Sequence, residues 1–150
     1  MTVADAPSIQ VVLVDSDRMK DIFAIRRRVF IEEQGVPEAI EMDADDARAV
    51  HVLASCAATP VGCARIMPDG ERVKIGRMAV IKEWRGRGAG GRILEFVLDY
   101  ARSLGYQRAV LNAQLNAIRF YSKYGFTPNS EIFDEAGIPH RRMELVLART

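Results

Sequence analysis

A β-patterned run, RVKIGRMAVI, is followed by RGRGAGG at residues 85–91 and then by a helically patterned run, ILEFVLDYARSLG. Gly86, Gly88, Gly90 and Gly91 therefore crowd one strand-to-helix junction. Glycine at the start of a helix costs roughly 0.5–1 kcal/mol in backbone entropy relative to alanine. A plain connection gains nothing in return, whereas a backbone that a ligand must approach closely does. Bare N–H groups at a helix N-terminus bind anions, helped by the helix dipole, and Arg85 and Arg87 add charge at the rim. The chain as a whole is nearly neutral, with 21 Lys and Arg against 20 Asp and Glu. The anion site is therefore local, and the chain lacks the basic excess of a non-specific nucleic-acid binder.

At 150 residues the chain reads as a single domain, 1–150, able to bury a core without disulfides. Residues 9–14, IQVVLV, read as a strand. Asp15 to Asp17 cap a helix running to Gln34, with Ile22, Ile25, Val29 and Phe30 on one face and Gly35 as its stop. An acidic irregular stretch, VPEAIEMDADDAR, precedes three strands, AVHVLASCA, VGCARIM and RVKIGRMAVI, whose turn-like separators imply antiparallel pairing. The helix after the glycines has Ile93, Leu94, Val97, Ala101 and Leu104 at helical spacing and ends at Gly105. Then come a strand, YQRAVLN, a short helix over residues 114–125, and a hairpin of FTPNSEIFD with IPHRRMELVLA about EAG. This order describes an α/β fold, a mixed and mostly antiparallel sheet with helices on its faces.

Three phosphate-binding patterns compete for the loop. Gly86, Gly88 and Gly91 satisfy G-x-G-x-x-G, but the dinucleotide fingerprint belongs in the first βα turn of a parallel sheet, with an acidic residue about 20 positions on. Here antiparallel strands come first, and the next strand ends in Leu111 and Asn112. A P-loop needs a Lys-Ser or Lys-Thr pair that is absent. Arg85-x-x-Gly88-x-Gly90 resembles the Q/R-x-x-G-x-G/A signature of the GNAT N-acetyltransferases, and RMAVIKEW before it resembles that family's fourth strand. QLNAIRFYSKYGF is similar to a later family element, with Ala117, Phe120, Tyr121, Gly125 and Phe126 in register and Gln114 in the slot of the family's leading asparagine. RRRVFIEEQGVPEAIEMDADDARAVHVLA and EAGIPHRRMEL resemble the small bacterial ElaA-like and YjcF-like branch.

The resemblance implies a single-domain acyl-CoA N-acyltransferase fold, with acetyl-CoA as co-substrate and a small amine or a protein amine as acceptor. It places the pyrophosphate on the loop from Arg85 through Gly86, Arg87, Gly88, Ala89, Gly90 and Gly91. The pantetheine arm would lie along the main chain of Met78, Ala79 and Val80, where Gly76 fits a bulge. A backbone N–H there would also stabilise the oxyanion. Tyr121 is the candidate acid for the departing thiolate, because a phenol of ordinary pKa is protonated at neutral pH. If residues 114–125 are one helix, Gln114 lies two turns before Tyr121 on the same stripe and Asn116 reaches the cofactor from the flank. Either could equally be a helix cap or a solvated polar residue.

The base that deprotonates the amine is left open among Glu33, Glu41, Asp43, His51, His140 and water, with His51, in mid-strand, suited to a structural role. The acidic run reads as a solvated face or as a border of the acceptor site favouring a cationic amine. Cys56 and Cys63 read as buried free thiols of a reduced cytoplasm, and no metal site is expected. No signal peptide or membrane span is expected, so the protein reads as cytoplasmic. The acceptor is unspecified and the assembly is a monomer or homodimer. The alternative to catalysis is a CoA-binding module or sensor that has lost its acceptor site.

Overall fold

The central strands bury consecutive residues, Val52, Leu53 and Ala54 on one and Val61 to Ile66 on the next, because helices cover both faces of the sheet. The computed structural model describes residues 8–147. β1 (Ile9–Val14), β2 (Val50–Cys56), β3 (Thr59–Asp69) and β4 (Arg72–Val80) pair antiparallel in sequence order. β5 (Arg108–Gln114) joins β4 in parallel, and β8 (Ile138–Val146) joins β5 antiparallel. The expected mixed, mostly antiparallel sheet is therefore present; with β6 (Thr127–Pro128) and β7 (Phe133–Glu135) its order is β1-β2-β3-β4-β5-β8-β6, β7 also pairing with β8. Helix α1 (Met19–Arg26) packs on β2, β3 and β4, and α3 (Ala89–Ser103) lies against β1 to β4.

Four details differ from the sequence expectation. The first helix widens after Arg26, and the Gln34 N–H bonds Val29 O five residues back at 3.1 Å. This π-type turn still buries Val29, and Gly35 at φ +74° ends it. Leu104, expected in the buried stripe of α3, is 57% exposed because the helix closes at Ser103. The helix expected from 114 begins only at Ile118: Gln114 is extended at the end of β5, a tight turn spans Leu115–Ala117, and α4 covers Ile118–Ser122. The strand expected through FTPNSEIFD is broken into β6 (Thr127–Pro128) and β7 (Phe133–Glu135), laid successively along the free edge of β8.

The acidic stretch, expected as a solvated face or a border of the acceptor site, is tied into the fold by ion pairs. It folds as α2 (Glu38–Glu41) and a turn at Ala44–Ala47, and it turns the carboxylates of Glu41, Asp43 and Asp46 toward three arginines. Arg26, fully buried, bonds Glu41 Oε2 at 2.6 Å, Oε1 at 3.2 Å and Asp46 Oδ1 at 2.8 Å. Arg65 bonds Asp43 and Asp46 at 2.7 and 3.0 Å. Arg77 bonds Glu41 O at 2.8 Å and Asp43 Oδ2 at 3.2 Å. Three guanidinium groups thus face three carboxylates, which leaves no net charge inside.

That network sets the course of β4. The pairing of β3 with β4 slips between Cys63↔Ala79 and Arg65↔Gly76, so Arg77 and Met78 together oppose Ala64. Gly76 was expected to carry this bulge. The left-handed residue is instead Arg77, at φ +50°, whose side chain is tied to the acidic loop. Backbone strain of this kind costs about 1–3 kcal/mol and persists where surrounding contacts over-determine it. Past the bulge β4 leaves β5, whose pairing with it covers only Arg72↔Arg108 to Ile75↔Leu111.

Candidate active site

The parting of β4 from β5 opens a cleft of about 780 Å³ lined by both strands, the glycine loop, α4, Glu135 of β7 and His140 of β8. Main-chain groups alternate along a strand. The Ile81 N–H bonds Val61 O on β3, so the groups of Ala79 also face β3 and those of Met78 and Val80 face the cleft. The expectation of a cofactor contact from the Ala79 main chain is corrected accordingly. Val80 O already accepts a hydrogen bond from Arg85 Nε at 2.9 Å, which leaves its N–H for a ligand.

At one end of the cleft α3 begins with Gly88 at φ +89°, a conformation open to glycine and strained for other residues. No side chain caps this end, and the first helical bond runs from Arg92 N–H to Gly88 O. The N–H groups of Ala89, Gly90 and Gly91 therefore lack helical partners. Gly91 has a further reason to be glycine: a Cβ there would collide with the Tyr124 hydroxyl, and one on Gly90 would meet the Phe120 ring at 3.4 Å. Gly90 and Gly91 thus let the α4 region pack on the first turn of α3. Arg87 stacks over Trp84 with 4.7 Å between its guanidinium carbon and the ring centre. Arg85 forks onto Glu33 at 2.5 and 2.7 Å, so part of the rim charge is already paired.

Tyr121 lies in the cleft wall, its ring edge-on to Phe120 and to Phe126. Burial pushes its phenol up to about 12, so it carries its proton throughout the neutral range. Gln114 and Asn116 also line the cleft, but not on a shared helical stripe. Gln114 caps no helix and donates to Gln34 Oε1 at 2.9 Å.

The sequence profile of the Acetyltransferase (GNAT) domain matches residues 9–147. The chain belongs to the GNAT family. It is 37% identical over 135 residues to the uncharacterized N-acetyltransferase YjcF of Bacillus subtilis, covering 89% of this chain and 96% of that one. It is 33% identical over 125 residues to the protein ElaA of Escherichia coli, covering 79% and 81%. The ElaA crystal structure superposes with a TM-score of 0.80 over 93% of this chain and 99% of that one, at 26% identity. An acyl-CoA N-acyltransferase from Pseudomonas aeruginosa shares the fold, with a TM-score of 0.76 at 23% identity over 93% and 99%. The ElaA-like and YjcF-like resemblance read from the sequence is thereby established. No helix among the described residues is long and apolar enough to cross a membrane.

The five residues considered as bases in this GNAT protein fare differently, and of them His140 lines the cleft. Glu41 is 2% exposed and locked between Arg26 and Arg77. Burial pushes the Asp43 carboxyl up, but hydrogen bonding and charge from Arg65, with Arg77, outweigh it and hold it below the usual carboxylate range. The hydrogen bond from Arg85 likewise holds Glu33 low, which makes both poor proton acceptors. His51 is buried in β2, away from the cleft lining, with Nε2 2.9 Å from Asp46 O. His140 alone combines burial with a place in the cleft. Glu135 and Asn112, which the sequence did not single out, stand beside it.

Proposed function

We propose that this GNAT protein transfers the acetyl group of acetyl-CoA to a primary amine within a ternary complex. One observation carries the reading: the exposed main-chain edge at Met78 and Val80, the uncapped start of α3 and the Tyr121 hydroxyl all belong to a single cleft. A pyrophosphate fits the N–H groups of Ala89, Gly90 and Gly91, with Gly86, Gly88 and Arg87 shaping the rim. A pantetheine arm fits the open edge of β4 as an added strand would, and a free N–H from Met78 or Val80 is suited to stabilise the thioester oxyanion. Gln114 and Asn116 flank the same space.

The amine nitrogen attacks the thioester carbon and the carbonyl electron pair moves onto oxygen. Collapse breaks the C–S bond, Tyr121 protonates the leaving sulfur, and the phenol recovers a proton from the nitrogen of the adduct. Because the phenol is neutral far above neutral pH, its supply of protons does not limit the rate there.

Calorimetry with acetyl-CoA and thiol release with a panel of amines test the reading. Acetyl-CoA is expected to bind and at least one amine to release thiol. Tyr121→Phe is expected to lower kcat by about 100-fold, the lower end for general acid catalysis, with little change in acetyl-CoA affinity. Acetyl-CoA binding without turnover on any amine would favour a CoA-binding module, and wild-type kcat in Tyr121→Phe would remove the phenol from the mechanism.

A further inference from the structure

Strand register assembles a second constellation in the cleft, on β5, β7 and β8. Gln114 pairs with His140 across β5 and β8, and Phe133 pairs with His140 across β7 and β8. Paired residues share a face and side chains two apart repeat it, so Asn112, Gln114, Phe133, Glu135 and His140 all project from one face of the sheet. Gly76, next in line on β4, leaves that face open, because a Cβ there would meet nothing within 4 Å.

His140 is 6% exposed, and its ring stacks on Phe133 with centres 6.1 Å apart. Its Nδ1 lies 2.7 Å from Ile138 O. A carbonyl only accepts, so Nδ1 carries the hydrogen, and in the neutral ring Nε2 has the lone pair. That lone pair sits 3.8 Å from Glu135 Oε2, too far for a direct hydrogen bond. Glu135 Oε1 is held from the other side by Asn112 Nδ2 at 2.9 Å. A half-exposed carboxylate and a buried imidazole nitrogen thus face a common space, each with its orientation fixed from behind.

We propose that Glu135 and His140 form the subsite for the acceptor nitrogen, and that the acceptor is an alkyl amine arriving as its ammonium ion. This assignment rests on the acetyl-transfer reading above and names its substrate class. The Glu135 carboxylate draws the ammonium to the cleft, and His140 Nε2 takes one of its three protons, freeing the lone pair that attacks the thioester. A second proton leaves the nitrogen once the C–N bond has formed and replaces the one Tyr121 gave to sulfur. The third stays on the amide, and the imidazolium returns its proton to solvent. The β4 side of the cleft carries Lys74 and Arg77, with the Arg77 charge answered by Asp43 and Glu41, so the subsite suits one ammonium and opposes a second cationic group on the acceptor.

Two probes of like size separate recognition of charge from packing: benzylamine, cationic at neutral pH, and O-benzylhydroxylamine, neutral there. Glu135→Gln keeps an acceptor for Asn112 and removes only the charge. It is expected to lower kcat/KM for benzylamine by about 10- to 100-fold, the size of a charged hydrogen bond, and to change O-benzylhydroxylamine by less than about twofold. His140→Ala is expected to lower kcat by about 100-fold or more and to recover part of it with added imidazole, which fills the vacated space. Acetyl-CoA affinity, measured in parallel, should be unchanged in both variants. Equal losses on the two probes, or no loss on benzylamine, overturn the role of Glu135. A His140→Ala variant with kcat within about threefold of wild type, or with a loss that imidazole does not touch, overturns that of His140; His140→Gln repeats the kcat measurement should the alanine variant misfold. Wild-type protein that acetylates neither probe nor any other amine overturns the acetyl-transfer reading itself, and this assignment with it.

Discussion

Glu41→Gln puts the ionic interior to the test. Both Glu41 carboxylate oxygens are engaged by Arg26, Oε2 by Nε at 2.6 Å and Oε1 by Nη2 at 3.2 Å, and the pair is almost wholly removed from water. Whichever way a glutamine amide is turned, its NH₂ therefore meets a guanidinium donor. The substitution also converts a balanced set of three cations and three anions into one with an unanswered positive charge. Breaking a buried pair by removing one partner costs about 3–5 kcal/mol. For a domain of this size about 2–4 °C follows from each kcal/mol, so the melting temperature should fall by about 6–20 °C. In urea, with a slope near 2 kcal/mol/M, the midpoint should drop by about 1.5–2.5 M at unchanged slope. The variant should still fold at low temperature, because domains are stable by about 5–15 kcal/mol, and its kcat measured there should stay within about threefold of wild type. A stability change below about 1 kcal/mol would refute the buried network. If kcat collapsed at the same time, Glu41 would return as the catalytic base.

Two further substitutions probe backbone conformation. Gly88→Val places a β-branched side chain at φ +89° and beside the cleft, so acetyl-CoA affinity by calorimetry should fall at least about tenfold, with a smaller loss of folding stability; equal affinity would make the loop a plain connection. The two-residue turn between β2 and β3 is built from Ala57 and Ala58 at φ +50° and +69°, conformations that favour Asn-Gly. Replacing the pair by Asn-Gly should stabilise the fold by about 1 kcal/mol, read as a rise of about 2–4 °C in melting temperature, and a fall would contradict the assigned turn.

The glycine-loop part of the cleft, proposed for the donor, was legible in the sequence and the Glu135–His140 part, proposed for the acceptor, was not, and the reason lies in how each is built. A pyrophosphate on α3 would be bound by consecutive main-chain groups. The chain advertises such a place locally, through glycines at fixed offsets after a β-patterned run. Even there one glycine misleads, since the collision that a side chain on Gly91 would make with Tyr124 involves a residue 33 positions away. The bulge that opens the cleft was expected at Gly76 because glycine is the usual sign of an irregular strand. Arg77 holds it instead through contacts with residues 40–43, and no local rule reports a pairing at that separation. The same long-range pairing misled the reading of the acidic run: five carboxylates in a short polar stretch look solvated until Arg26, Arg65 and Arg77 arrive from three other elements. For the acceptor side, His140 stood among several equal candidates because its usefulness depends on which side chains face it. That is fixed only when β5, β8 and β7 align Gln114, His140 and Phe133 in one row. A slip of one residue in either pairing would send His140 to the opposite face from Asn112 or Glu135, so this half of the site is specified by strand register and has no counterpart in a contiguous motif.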